Sequence, residues 1–292
     1  VVTNIDLSTG YPQTYPQSYP QGVYPKMLCI NPFRPRRGVE FGCGQCRCCR
    51  VNRARMWTGR LILESQCHVA SSFVTLTYAP EHVPISGLSN EHWRSLTAGI
   101  GYRYFGCGEY GDMTYRPHYH LVMFGLDPMH SEAFMATRWP YGHIHVLPFS
   151  MKTAAYIARY TSKKYRVHKP LSFEATPEFQ RMSRRPAIGA PALAAIESWM
   201  VSDAGSRFIV ENGDAPASIR SEGSIFPLGR TLHLRLRRAA GLPDSLPDLQ
   251  ESRRAARALC LDDPAFVAAL EGRRTAGYER VTRSVTARLG VH

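Results

Sequence analysis

The chain has 292 residues, 44% hydrophobic and 20% charged, enough for one large domain or two modest ones with a substantial core. Lys and Arg number 36 against 23 Asp and Glu, and the formal charge of +13 favours a polyanionic partner, either nucleic acid or an anionic membrane surface. No apolar run approaches the roughly 18 residues of a membrane span and no signal-peptide core opens the chain, so nucleic acid is the stronger reading and no membrane partner is expected.

Residues 1 to 25 repeat Tyr-Pro at Tyr11, Tyr15, Tyr19 and Tyr24 and lack apolar periodicity, so they read as a disordered leader. The chain opens on Val, which fits an alternative start codon or missing first residues. Arg47 to Gln66 carries an apolar stripe of helical period through Val51, Ala54, Leu61 and Ile62. Arg50, Arg53, Arg55 and Arg60 lie mostly off that stripe, where a solvated face and phosphate contact explain them equally well. Ser72 to Tyr78 is β-branched and aromatic and reads as a strand, and Asn90 to Leu96 as a short helix capped by Ser89 or Asn90. Tyr102 to Tyr110 and the stretch from His118 read as two strands of a hairpin, which brings Glu109 near the histidines across the pair. A helix from Ser131 to Trp139, a strand from His143 to Leu147 and a helix from Thr153 to Lys164 follow. Beyond these, Ala190 to Val201 reads as helical, Asp203 to Phe226 as loop-rich, and Arg230 to Arg238 and Asp263 to Arg288 as helices.

Two histidines one residue apart in a strand share a face, so His118 and His120 stand about 7 Å apart along the strand and can close on one metal ion. His143-Ile144-His145 offers a rival pair. Tyr156 and Tyr160 are four apart in a helix, so both phenols leave the same side about 6 Å apart along its axis, and Lys163 lies a turn further on. A tyrosine oxygen attacks phosphorus when a cation lowers its proton affinity and the phosphate is polarised. Imidazole ligands by themselves favour Zn, Fe or Ni over Mg.

Phe73-Val74-Thr75-Leu76-Thr77-Tyr78, then His118-Tyr119-His120, then Tyr156-x-x-x-Tyr160-x-x-Lys163 occur in that order. Together they resemble the three motifs of the HUH superfamily of rolling-circle replication initiators, most closely those of gokushovirus-type Microviridae bacteriophages. Gly108-Glu109-Tyr110-Gly111-Asp112, Trp139-Pro140-x-Gly142 and Met182-Ser183-Arg184-Arg185-Pro186-x-Ile188-Gly189 add to the likeness, which covers roughly residues 40 to 190. The resemblance implies an α+β fold: a central antiparallel sheet flanked by helices, with the histidines on a central strand and the tyrosine helix beside it. It implies metal ligation by His118, His120 and Glu109, nucleophilic attack by Tyr156 and Tyr160 with Lys163 as the basic residue, and Mg2+ or Mn2+ as the ion in use. It places His143 and His145 outside the metal motif. The implied activity is nicking of single-stranded origin DNA through a 5′-phosphotyrosyl link, later resolved to close a circle, in the cytoplasm of a bacterial host with host replication proteins as partners.

Four cysteines crowd into Cys43-Gly44-Gln45-Cys46-Arg47-Cys48-Cys49, a poor disulfide framework in a chain without a secretion signal. Cys43, Cys46 and Cys49 have a thiolate spacing that Cys29 can complete as a structural Zn2+ site; reduced, partly buried thiols are the alternative. The expected organisation is a leader over 1–25, an endonuclease domain over 26–190 and a mainly helical extension over 191–292. Arg50, Arg53 and Lys164 are the candidates for DNA contact. Three other classes compete: a non-nicking nucleic-acid-binding protein with a zinc site, a mononuclear iron enzyme, and a relaxase or transposase of the same superfamily.

Overall fold

Alternating polarity in the strands and 3.6-residue periodicity in the helices divide this chain into short elements. The computed structural model describes residues 4–6, 12–13, 29–33, 42–111, 114–161 and 175–244, with five isolated positions between 268 and 279. In chain order the elements are β1 (Asn4–Asp6), β2 (Pro12–Gln13), α1 (Arg47–Ser65), β3 (Ser71–Tyr78), α2 (Asn90–Thr97), β4 (Arg103–Tyr110), β5 (Pro117–Phe124) and α3 (Pro128–Ala136). They continue with β6 (Gly142–Pro148), α4 (Met151–Tyr160), β7 (Phe179–Met182), α5 (Leu193–Met200), α6 (Asp203–Asn212), β8 (Ser218–Ser221), β9 (Ser224–Pro227) and α7 (Gly229–Ala239). Contacts group residues 57–196 into one unit and residues 1–56 with 197–292 into another. The fold is α+β: a five-stranded antiparallel sheet with packed helices, and a C-terminal part that is largely helical.

In the 57–196 unit the strand order is β6-β3-β5-β4-β7, every neighbouring pair antiparallel, so β5 is the middle strand. One face of the sheet is the apolar core. Val74, Leu76 and Tyr78 of β3 meet Tyr119, Leu121 and Met123 of β5 under Trp93 and Leu96 of α2, Met135 of α3 and Trp139. Burying each such large apolar side chain stabilises by about 1.5–3 kcal/mol. Helix α2 begins where the Ser89 hydroxyl accepts the His92 N–H at 3.1 Å. Helix α3 starts earlier than Ser131, because Asp127 caps it and Pro128 fills the first turn, where a missing N–H costs nothing.

The other face is more polar and lies under α1 and α4. Trp57 of α1 packs on Phe105 of β4 at 5.2 Å between ring centroids. Glu64, fully buried on α1, is tied by Arg103 and by the Gly189 N–H at 2.6 Å. Arg60 donates to the Ile188 carbonyl at 2.9 Å and Arg103 to that of Pro186 at 2.9 Å. The stretch Met182 to Gly189 is thus a clasp of backbone groups around buried charges of α1 and β4. Arg60 belongs to this clasp and not to a solvated or phosphate-binding face.

In the other unit β1 pairs antiparallel with β2 and parallel with β8, and β8 pairs with β9, giving the order β2-β1-β8-β9. Within residues 1–25 only β1 and β2 are described. The expectation of a loop-rich 203–226 is corrected: it holds α6 and the β8–β9 hairpin. Helix α6 is capped by the Ser202 hydroxyl, and Gly213 ends it at φ 64° with its N–H on Ile209. The hairpin turns through Glu222 and Gly223, both at positive φ, as a two-residue turn of this hand requires. Arg55 donates to the Ile225 carbonyl at 2.6 Å. Of the helix expected over 263–288, Ala268, Gly272, Thr275, Ala276 and Glu279 are described, all helical.

Gly106 and Gly108 of β4 leave room on the core face for Trp93, Leu88 and Phe179, while Phe105, Cys107 and Glu109 face the other way. A Cβ on Gly106 would stand 2.5 Å from the Trp93 ring and 2.9 Å from the His120 carbonyl. Gly→Ala in an open strand stabilises by about 0.5–1 kcal/mol, but here overpacking of about 1–3 kcal/mol outweighs it. Gly106→Ala should therefore lower the urea midpoint; an unchanged or raised midpoint would contradict this packing.

Candidate active site

The register of β4 on β5 sets Glu109 directly opposite His118 and Cys107 opposite His120. Period-2 alternation then puts all four side chains on the polar face. His120 Nε2 lies 2.9 Å from Glu109 Oε1, and His118 Nε2 lies 3.6 Å from the same oxygen. One ligand atom from each of the three residues lies within 4.8 Å of the others, and the triad can hold a metal ion. Glu109 and His120 are only 3% and 5% exposed. A carboxylate so removed from water needs positive charge or donors around it, and two imidazole nitrogens with one carboxylate oxygen form a donor set that suits a divalent cation.

β3 supplies the support for His120. Thr75 pairs with His120 across the strands, and its Oγ1 sits 2.9 Å from His120 Nδ1. That bond leaves Nε2 turned toward Glu109, the usual way a metal-binding imidazole is oriented. Phe73 stacks near-parallel on the same ring, at 5.5 Å and 13°. Thr75 and Phe73 stand in the first sequence motif but were not among the expected site residues; their alternation along β3 with the same period as the histidines is the signal that marks them.

Helix α4 brings the tyrosines. Its start is fixed by a capping box between Ser150 and Thr153, and Ala154, Ile157 and Ala158 bury one side of it. Tyr156 stands edge-on to His120 at 5.3 Å between centroids, and Tyr160 stacks on the same ring at 5.9 Å and 19°. The two phenol rings are 5.3 Å apart. Burial raises the proton affinity of both phenols; the Glu109 charge adds to this at Tyr160, whose hydroxyl bonds to that of Tyr156. The Arg159 guanidinium lies 5.2 Å from the Tyr156 ring centre.

The expected residues therefore divide. His118, His120, Glu109, Tyr156 and Tyr160 converge on one patch of the polar face. Lys163 and Lys164 lie outside the described residues. His143 and His145 are exposed on the edge strand β6, separated from β5 by β3. Arg53 is exposed and Arg50 half-buried on α1.

In the other unit Cys29, Cys43, Cys46 and Cys49 form a second cluster whose sulfurs also lie within 4.8 Å of one another and can hold a metal. Gly44 at φ 70° turns the knuckle so that the Gln45 and Cys46 N–H groups point at Cys43 Sγ, at 3.4 and 3.2 Å. Burial works against ionisation of Cys43, but these amides outweigh it and bring the thiol down to about 7. The Cys43 N–H donates to Cys29 Sγ at 3.2 Å, and that of Cys49 to Cys46 Sγ at 3.4 Å. Cys48 is fully buried and stands apart from the set.

Residues 71–165, which include the triad and both tyrosines, match the family of the replication-associated protein ORF2. The chain is 31% identical over 158 residues to replication-associated protein VP4 of Bdellovibrio phage phiMH2K, covering 42% of this chain and 48% of that protein. It is 28% identical over 172 residues to replication-associated protein ORF2 of Spiroplasma virus 4, covering 49% and 54%. With replication-associated protein ORF4 of Chlamydia phage 1 the identity is 25% over 199 residues, covering 59% and 49%. The chain belongs to this replication-associated family and is homologous to the replication proteins of microviruses. It spans about half the length of the curated relatives it matches. No solved structure matches it.

Thr75→Val keeps the shape of the side chain and removes the bond to His120. It is expected to weaken Mn2+ binding by about 10-fold or more, while Thr75→Ser restores it. Equal affinity in the Val variant, measured by isothermal titration, would remove Thr75 from this role.

Proposed function

We propose that the patch of His118, His120, Glu109, Tyr156 and Tyr160 nicks and rejoins single-stranded origin DNA in phage rolling-circle replication. The observation that carries this reading is the contact of both tyrosine rings with one imidazole of the triad, at 5.3 and 5.9 Å. A water-activating metal nuclease has no use for two phenols in that position. A chain that only binds nucleic acid has no use for the triad. The surplus of 36 basic over 23 acidic residues supports a polyanionic substrate.

One phenolic oxygen attacks the scissile phosphorus, forming a phosphotyrosyl bond and breaking the bond to the 3′-oxygen. The phenolic proton is lost and the departing oxygen gains one, so a free 3′-hydroxyl remains to prime synthesis by host replication proteins. No water is consumed, and the bond energy is kept in the 5′-phosphotyrosyl link. The second tyrosine, one turn away on the same helix side, attacks the regenerated origin, and the freed 3′-hydroxyl then resolves the first link. A divalent ion, Mg2+ or Mn2+, held by His118, His120 and Glu109 supplies charge that polarises a non-bridging phosphate oxygen. Around it the protein's own groups set geometry: Thr75 and Phe73 fix His120, and Glu109 holds the two imidazoles on one side. Lys163 and Lys164 follow the helix as candidates for phosphate contact, with Arg50 and Arg53 further away in sequence. The cysteine cluster is assigned a structural Zn2+, because amide-to-sulfur bonds around a tight glycine knuckle stabilise thiolates. Among the described residues no helix is long and apolar enough to cross a membrane, in keeping with action in the host cytoplasm.

Tyr156→Phe with Tyr160→Phe should abolish the covalent protein–DNA adduct on single-stranded DNA with Mn2+ while the circular dichroism melt is unchanged. An adduct that persists would remove both tyrosines as nucleophiles. With burial holding both phenols protonated, chelation by EDTA and His118→Ala should each abolish the adduct. If His143→Ala does so and His118→Ala does not, the ligand pair is wrong. For the cysteine cluster, elemental analysis should find one zinc per chain, lost in Cys46→Ser and retained in His118→Ala. Zinc retained in Cys46→Ser would exclude the site.

A further inference from the structure

The second histidine pair has a place beside the triad that its sequence position does not reveal. β3 pairs with β6 so that Thr77 stands opposite His143 and Thr75 opposite His145. On its other edge β3 sets Thr77 opposite His118 and Thr75 opposite His120. Two rows therefore run straight across the polar face, His143-Thr77-His118-Glu109 and His145-Thr75-His120-Cys107. Two inter-strand spacings put His143 and His145 about 10 Å from the triad histidines.

These rows change character along their length. At the triad end the side chains are buried under α4; Thr75 and Thr77 are half-buried; His143, His145 and Leu147 on the edge strand are exposed. Ile144 and Val146, on the opposite side of β6, pack against the apolar core, so the histidines are directed to the polar side by the same alternation that buries their neighbours. The result is a flat shelf that begins at the metal triad and runs out to the sheet edge. It carries two hydroxyls, two imidazoles and one exposed leucine.

A second metal ion does not explain the pair, since among the described residues no third ligand joins His143 and His145. A structural role does not either, because exposed rings on an edge strand bury little. Single-stranded nucleic acid fits this chemistry. Its unpaired bases stack on imidazole and aliphatic faces, its phosphates accept hydrogen bonds from ring N–H and hydroxyl groups, and the net charge of +13 favours it. We propose that the shelf of Thr75, Thr77, His143 and His145 is the track on which the single strand lies as it leaves the triad. The assignment rests on the nicking reading for its direction, because the strand must reach the phosphate that Tyr156 or Tyr160 attacks.

Fluorescence anisotropy with a fluorescein-labelled single-stranded oligothymidylate, on the full chain loaded with Mn2+, tests this. His143→Ala with His145→Ala should weaken binding about 10-fold, within the range expected for losing one or two stacked bases, and leave the bound manganese unchanged. Ultraviolet crosslinking of a 5-iodouracil-substituted oligonucleotide to wild-type protein should label a peptide containing residues 143–145. Affinity within twofold of wild type together with labelling elsewhere would overturn the shelf. Adduct formation by wild type is scored separately: binding and crosslinking at the shelf without any adduct would keep the track and sink the nicking reading.

Discussion

The site depends above all on the register of one hairpin. With Glu109 opposite His118 on antiparallel strands, the carboxylate and both imidazoles meet on one face, while Tyr119, Leu121 and Met123 enter the core on the other. A slip of one residue would send the histidines into the apolar side and the core residues into the site, so the hydrophobic pattern that stabilises the sheet also protects the triad. Gly106 and Gly108 sharpen this. They admit Trp93, Leu88 and Phe179 on the core side, and neither position could be shifted onto a neighbouring side chain without a clash.

Around that register the neighbouring strand and helix each add contacts to His120. β3 contributes Thr75 to its Nδ1 and Phe73 to its ring face, and α4 contributes Tyr156 and Tyr160. A single imidazole thus joins the metal triad to the proposed nucleophiles. Because it touches all four groups, their effects should be strongly non-additive when they are altered together. The helix is held independently, by its capping box and its buried Ala154, Ile157 and Ala158, so the tyrosines are not placed by the site alone.

Much of this is legible in the chain. The strands from Ser72, Tyr102 and His118 and the helices from Arg47, Asn90 and Thr153 follow from periodicity and capping residues, and the hairpin alone brings Glu109 to the histidines. What stays hidden is of two kinds. Alternation says which face a residue takes but not which strands become neighbours, so the rows linking His143 and His145 to the triad through Thr77 and Thr75 need the sheet order. The stretch from Asp203 to Phe226 reads as loop because its elements are short and weakly marked. Helix α6 has only Gly205 and Phe208 buried, and the hairpin turns on Glu-Gly where Asn-Gly or Asp-Gly is the usual signal. Arg60 and Glu64 look like surface charges in a helix and are instead buried against backbone groups of Pro186 to Gly189 and against Arg103, a pairing that only tertiary contacts reveal.

The central claim is that this sheet face delivers a phosphate to a tyrosine of α4. The most direct measurement is tryptic mapping of the covalent adduct formed when the full chain meets a labelled single-stranded origin oligonucleotide and Mn2+. The account predicts that the label resides on Tyr156 or Tyr160. A label on any other residue, or cleavage that proceeds with no adduct at all, would contradict it.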